Sequence, residues 1–239
     1  MGYRGEHAPW GTAVTHSRPT HPRPTLPLPC IMLVTDRHLC GERRLEDVVA
    51  AAVAGGVNVV QLREKELNGA ELYGLAKRLR AVVASRALLL VNERLDVALA
   101  VGADGVELGS SGLPPDVARP LVPDMLLGAS VHDTTHAADA VARGADLLVV
   151  GTMFASRSHP GMLPAGPNLL RKIAGIVHVP LIGIGGITIA NAAQVIAAGA
   201  SGVAVISEIV AASDPRAAAA RLVDVVHAAW PTAPLHRRH

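Results

Sequence analysis

Short apolar runs alternate along this chain with longer, Ala-rich stretches of helical period. Each run of four to six residues leads through a polar turn into a segment whose apolar positions recur at three- and four-residue spacing. Eight such units follow one another at about 25 residues each. The runs are apolar at nearly every position, as expected for parallel strands covered on both faces. The pattern predicts strands at Ile31–Thr35, Val57–Leu62, Leu88–Val91, Gly105–Leu108, Leu126–Ser130, Leu147–Val150, Leu181–Ile184 and Val203–Ile206. Helices are expected at Leu45–Ala54, Gly69–Ala84, Arg94–Val101, Pro115–Leu121, Thr135–Arg143, Asn168–Ala174, Ala190–Ala198 and Asp214–Ala229. Three helices run into a near-repeated phrase, AVAGGVNVV, ALAVGADGV and VIAAGASGV, each reading as a helix end, a capping glycine and a new strand. Eight even βα units predict an α/β protein of the closed (β/α)8 TIM-barrel class. An open doubly wound sheet is the alternative, but the first strand is not followed by GxGxxG.

The ends depart from this rhythm. Residues 1–28 are polar, and THSRPTHPRPTLPLP contains five prolines. This stretch is expected to be a disordered tail, and it has no apolar centre of the signal-peptide kind. The barrel is expected over 29–230, with a loose C-terminal tail at 231–239. Half of the 239 residues are hydrophobic and only 2% aromatic, so the core must be aliphatic, and thin aromatic content offers no obvious apolar interface. No apolar run is long enough to cross a membrane. The net charge is +2 with the basic excess mostly in the tails, which argues against a nucleic-acid groove. Two cysteines, Cys30 and Cys40, read as reduced thiols of a cytoplasmic protein.

The chemistry is concentrated at strand ends. After the seventh strand comes Gly183-Ile184-Gly185-Gly186-Ile187-Thr188, and after the eighth Ile206-Ser207. Glycines let backbone amides approach a ligand closely, and this pair of loops is a frequent phosphate site in barrels. On the second strand Gln61, Arg63 and Lys65 share one face by the two-residue period, placing an amide and two cations toward the barrel mouth. Asn92 and Glu93 end the third strand, as anion donor and metal-ligand candidate. Glu107 is an inward carboxylate candidate on the fourth, before a loop of small residues reaching Gly112. Ser130 and His132 end the fifth, His132 as a possible proton carrier. The sixth runs into a Gly- and Pro-rich loop with Ser156, Ser158 and His159, a composition suited to an anion lid.

The ordered series QLREK, VNER, GADGVELG, GASVH, VGTMFASRSHPG, IGIGGIT and GVAVIS resembles the thiamine phosphate synthase and thiazole tautomerase (TenI-like) family over about residues 31–229. The resemblance implies a barrel enzyme of thiamine biosynthesis. In the synthase branch an aminopyrimidine diphosphate loses pyrophosphate, and the nitrogen of a thiazole phosphate captures the resulting carbocation. A carboxylate on the thiazole is lost as carbon dioxide. Carried over, Gln61 faces the pyrimidine with Ser130 beside it. Arg63, Lys65 and Asn92 hold the diphosphate with Ser156, Ser158 and His159, and Glu93 binds Mg2+. Gly186, Ile206 and Ser207 hold the thiazole phosphate through backbone amides. Lys65, Ser130 and His132 are the catalytic candidates.

The chain departs from the family pattern at two places. The two metal positions, usually both Asp, are Glu93 and Gly112, and the pyrophosphate loop, usually Thr, Thr and Lys, is Ser156, Ser158 and His159. The tautomerase branch, which only isomerises the double bonds of a carboxythiazole phosphate, needs a phosphate grip and an acid/base such as His132. A non-catalytic barrel that binds a phosphorylated ligand is the third reading. All three imply small phosphorylated partners.

Overall fold

The computed structural model describes residues 22–155 and 164–231. Eight parallel strands close into a barrel in chain order: β1 Cys30–Val34, β2 Val59–Leu62, β3 Leu88–Asn92, β4 Gly105–Leu108, β5 Leu126–Val131, β6 Leu147–Val150, β7 Leu181–Ile184 and β8 Gly202–Val205. Strand β8 returns to pair with β1, Cys30 opposite Gly202 and Leu33 opposite Val205. The period of two sorts every strand. Met32, Val34, Val59, Leu90, Leu147, Val149, Ile182 and Ala204 fill the interior. Their neighbours Leu33, Val60, Leu89, Leu148 and Val203 face the helical mantle.

The mantle helices are α1 Leu45–Ala54, α2 Gly69–Val83, α3 Leu95–Val101, α4 Pro115–Ala118, α5 Thr134–Ala142, α6 Gly166–Ala174, α7 Ala192–Ala197, α8 Ser207–Val210 and α9 Pro215–Ala229. Two helix boundaries differ from the sequence pattern because of a polar or imino residue. The helix expected over 115–121 tightens into a 3-10 turn at Arg119–Leu121, because Pro120 has no N–H to give the Asp116 carbonyl. Helix α7 starts at Ala192 because Asn191 is bonded into the preceding loop. The short helix α8 was not expected; it is too brief to show a period.

The bottom of the barrel is tied by a repeated device. Residues Asn58, Asp104, Asp146 and Ser201 each sit just before or at the start of a strand, within or next to the G-A-D/S phrases. Each accepts the amide of a neighbouring strand: Ile31 at 2.8 Å, Leu89 at 2.7 Å, Leu127 at 2.8 Å and Leu181 at 3.3 Å. A side chain thus pairs a strand amide at the barrel's lower end.

Of the expected tail, residues 1–21 lie outside the described residues. The remainder, 22–28, crosses the bottom of the barrel. Leu26 is buried against the interior cluster, and Arg23 donates to Pro123 O at 3.1 Å and Asp146 Oδ1 at 2.8 Å.

Candidate active site

The C-terminal ends of the strands surround a cavity of about 340 Å³. Its wall carries Gln61, Arg63 and Lys65 from β2, Asn92 and Glu93 from β3, Ser130 and His132 from β5, and Gly186, Ile206 and Ser207 from β7 and β8. Ten candidates drawn from five separate strand ends therefore line one space. Ser156, Ser158 and His159 fall outside the described residues.

One edge is charged. Gln61, Arg63 and Lys65 line the cavity, while Glu64, between Arg63 and Lys65, turns away and is buried. Glu64 accepts the Arg37 amide, at 3.1 Å to one oxygen, and does not pair with Lys65. Burial raises its carboxyl above the usual range, opposed by hydrogen bonds from Thr35 and the Arg37 amide. Lys65 instead approaches Glu93, with Nζ 3.9 Å from Oε2. Glu93 has a left-handed backbone, φ 59°, and its amide donates to Glu107 O at 2.9 Å. Such a conformation costs a non-glycine residue about 1–3 kcal/mol and is held here by the neighbouring strand.

Among the described residues no group of three His, Cys, Asp or Glu side chains could hold a metal ion. A Cβ placed on Gly112 would lie 3.7 Å from Glu93 Cγ, so a side chain there would adjoin Glu93. Glu93 alone can give an ion one carboxylate. Mg2+ is commonly held by one or two carboxylates together with substrate phosphates and water. The donor set thus fits Mg2+ arriving with a diphosphate, not a closed protein cage.

The floor is polar but sparsely satisfied. Gln61 Nε2 donates to Asn92 Oδ1 at 3.3 Å, and Gln61 Oε1 is buried with no partner among the described residues. Ser130 Oγ donates to Glu107 Oε1 at 3.0 Å. His132 Nδ1 lies 2.9 Å from Gly151 O. A carbonyl only accepts, so Nδ1 carries a hydrogen in this contact.

The other edge is backbone. Gly185 and Gly186 have φ of 99° and 61°. A Cβ on Gly186 would sit 2.4 Å from Ala155 O, and one on Gly185 2.6 Å from Thr152 Cγ2. Both glycines are therefore required by conformation and by close contact with the loop after β6. Asn191 holds the turn, with Nδ2 donating to Gly186 O at 2.9 Å and Oδ1 accepting from Thr188 N at 2.8 Å. Among the described residues the Gly186 and Ser207 amides have no hydrogen-bond acceptor. These donors border the cavity together with the start of α8.

A family model described as thiamine monophosphate synthase matches residues 31–209. The chain belongs to the thiamine monophosphate synthase family. The thiamine-phosphate synthase of Methanoculleus marisnigri is 46% identical over 202 residues, covering 83% of this chain and 96% of that one. The thiamine-phosphate synthase of Roseiflexus castenholzii is 43% identical over 198 residues, covering 82% and 87%. A solved structure of thiamine phosphate pyrophosphorylase from Pyrococcus furiosus aligns with a TM-score of 0.78 at 36% identity, covering 84% of this chain and 97% of that one.

For this thiamine monophosphate synthase family member, the structure adds residues that sequence reasoning missed. Thr152 and Thr188 line the cavity. Arg43, from the loop after β1, donates to Val210 O at 2.7 Å and Ala212 O at 2.6 Å, capping the end of α8. Glu208 accepts from Ile189 N at 3.3 Å and so links the loops after β7 and β8. Arg43 and Glu208 carry no signal in the sequence, because their partners lie far along the chain.

Proposed function

We propose that this protein is a thiamine-phosphate synthase, joining an aminopyrimidine diphosphate to a thiazole phosphate. The observation that carries the reading is a single cavity with two separate anion-holding edges. One has side-chain cations, Arg63 and Lys65, and the other has the amides of Gly186 and Ser207, which have no acceptor among the described residues. Two phosphorylated substrates need two grips of this kind.

The diphosphate rests on Arg63, Lys65 and Asn92. As the bond from the pyrimidine methylene carbon to oxygen breaks, its electron pair leaves with the diphosphate. Arg63 and Lys65 neutralise the charge that develops there, and such preorganised charge lowers the barrier most. Gln61 and Ser130 orient the pyrimidine. Gly186, Ile206 and Ser207 fix the thiazole phosphate so that the ring nitrogen meets the cationic carbon, forming the new carbon–nitrogen bond. Glu93 would hold Mg2+, which when bound supplies further charge neutralisation on the diphosphate. Cys30 and Cys40 are buried and unpaired, which suits a reducing compartment, and we assign the reaction to the cytoplasm.

Purified protein given both substrates, with and without Mg2+, is expected to release one pyrophosphate per thiamine phosphate formed, and none when either substrate is omitted. A second reading, thiazole tautomerase, is favoured by His132, which lines the cavity and whose Nε2 has no partner among the described residues. Conversion of the carboxythiazole phosphate tautomer with no pyrophosphate release from the paired substrates would establish that reading instead, and His132→Asn would then abolish turnover while phosphate binding survives.

A further inference from the structure

One carboxyl group near the cavity has no part in the reaction as described above. Glu107 is the inward residue at the end of β4 and is fully buried. Its Oε1 accepts the Ser130 hydroxyl hydrogen at 3.0 Å, and its Oε2 has no partner among the described residues. Space for it comes from Gly128 on β5, where an added Cβ would lie 1.9 Å from Oε2. The surrounding interior is Leu, Val, Ile, Met and Ala. An aliphatic residue there would avoid the cost of a buried, half-satisfied carboxyl.

The compensating effect is on Ser130, which lines the cavity while Glu107 does not. A serine hydroxyl has one hydrogen and two lone pairs. With its hydrogen committed to Glu107, Ser130 can present only lone pairs to a ligand. Gln61 gives one of its two Nε2 hydrogens to Asn92, and its Oε1 is a buried acceptor with no partner among the described residues. Ser130 and Gln61 therefore both offer acceptors. An exocyclic amino group on a flat ring has two N–H donors and matches both; a hydroxyl can match only one, and an oxo group neither.

The geometry points to Glu107 as a positioning residue that holds the Ser130 hydroxyl as an acceptor and so, with Gln61, selects an amino-bearing pyrimidine. This rests on the synthase reading proposed above. Burial lifts the Glu107 carboxyl to about 8, so at neutral pH it is largely the neutral acid, with a carbonyl oxygen free to take the serine hydrogen.

The test compares wild type with Glu107→Leu, Glu107→Gln and Ser130→Ala, measuring KM separately for the pyrimidine diphosphate and the thiazole phosphate. The pyrimidine diphosphate whose amino group is replaced by oxygen serves as competitor. In Glu107→Leu the serine hydrogen is released toward the cavity. KM for the pyrimidine diphosphate is expected to rise on the order of 10–100-fold and the preference over the oxygen analogue to fall in proportion, because sites built around specific hydrogen bonds discriminate strongly. KM for the thiazole phosphate stays within about twofold. Glu107→Gln keeps an acceptor oxygen and restores most of the preference. Should Glu107→Leu fail to fold, Glu107→Met carries the test, with the same selective loss expected and Ser130→Ala marking its upper limit. An unchanged analogue preference, or equal rises in both KM values, overturns the inference while the synthase reading stands. Wild-type protein that forms no thiamine phosphate overturns both.

Discussion

Glu107 also makes a stability prediction. Its carboxyl keeps a proton to about 8 in the folded barrel, while the unfolded chain releases it near the ordinary 4.5. Between those values the native state binds more protons than the unfolded state, so stability falls as pH rises. The loss begins above about 4.5 and is complete above about 8, with an upper bound on the order of 5 kcal/mol. Urea midpoints of wild type should drop from pH 5 to pH 9 more steeply than those of Glu107→Gln, which has no proton to lose; parallel curves would refute the assignment. Gly186 makes a second prediction. With φ at 61° and a backbone oxygen 2.4 Å from any added Cβ, Gly186→Ala must displace the loop. Thiazole phosphate affinity, measured by calorimetry, should fall at least about tenfold.

At the scale of elements, the short helix α8 decides how firmly the phosphate edge is held. Four residues make too few internal bonds to hold a helix by themselves. Arg43 supplies the missing support by taking the Val210 and Ala212 carbonyls, and Glu208 fixes the other end to Ile189. Arg43→Ala is expected to raise KM for the thiazole phosphate about tenfold and leave KM for the pyrimidine diphosphate unchanged, since Arg43 does not border the cavity. Equal effects on both substrates would mean that Arg43 supports the barrel generally and not this helix. The helical mantle itself was readable from the chain, where Ala-rich segments repeat with a helical period. Helix α8 was not, because a single turn has no periodicity to read. The break in the fourth helix was missed although Pro120 was in view, since its effect depends on the carbonyl it would have to meet.

For the whole molecule, closure depends on bonds that join distant parts of the chain. The clamps at Asn58, Asp104, Asp146 and Ser201 tie neighbouring strands, and Leu26 plugs the lower end of the interior. Leu26→Ala should lower the unfolding free energy by about 2 kcal/mol, the lower end of the range for a buried leucine. Chemical denaturation measures it, and a change below about 0.5 kcal/mol would show that the 22–28 stretch does not pack in solution. The same cavity should keep its activity, because the plug lies at the end of the barrel away from the catalytic mouth.

The sequence by itself determined which residues could face the cavity. Period-two alternation put Gln61 and Arg63 on one face and Glu64 on the other, and the glycines after β7 marked backbone meant to be approached. Local sterics decide such features, and local sterics are written in neighbouring residues. Only the tertiary structure decided how those residues are set. Lys65 meets Glu93 and not Glu64. Ser130 gives its hydrogen to Glu107, 23 positions away. Arg43 caps a helix 167 positions along the chain. These pairings depend on the register with which eight strands close. That register is set by the packing of the whole interior at once, so no window of the chain contains it.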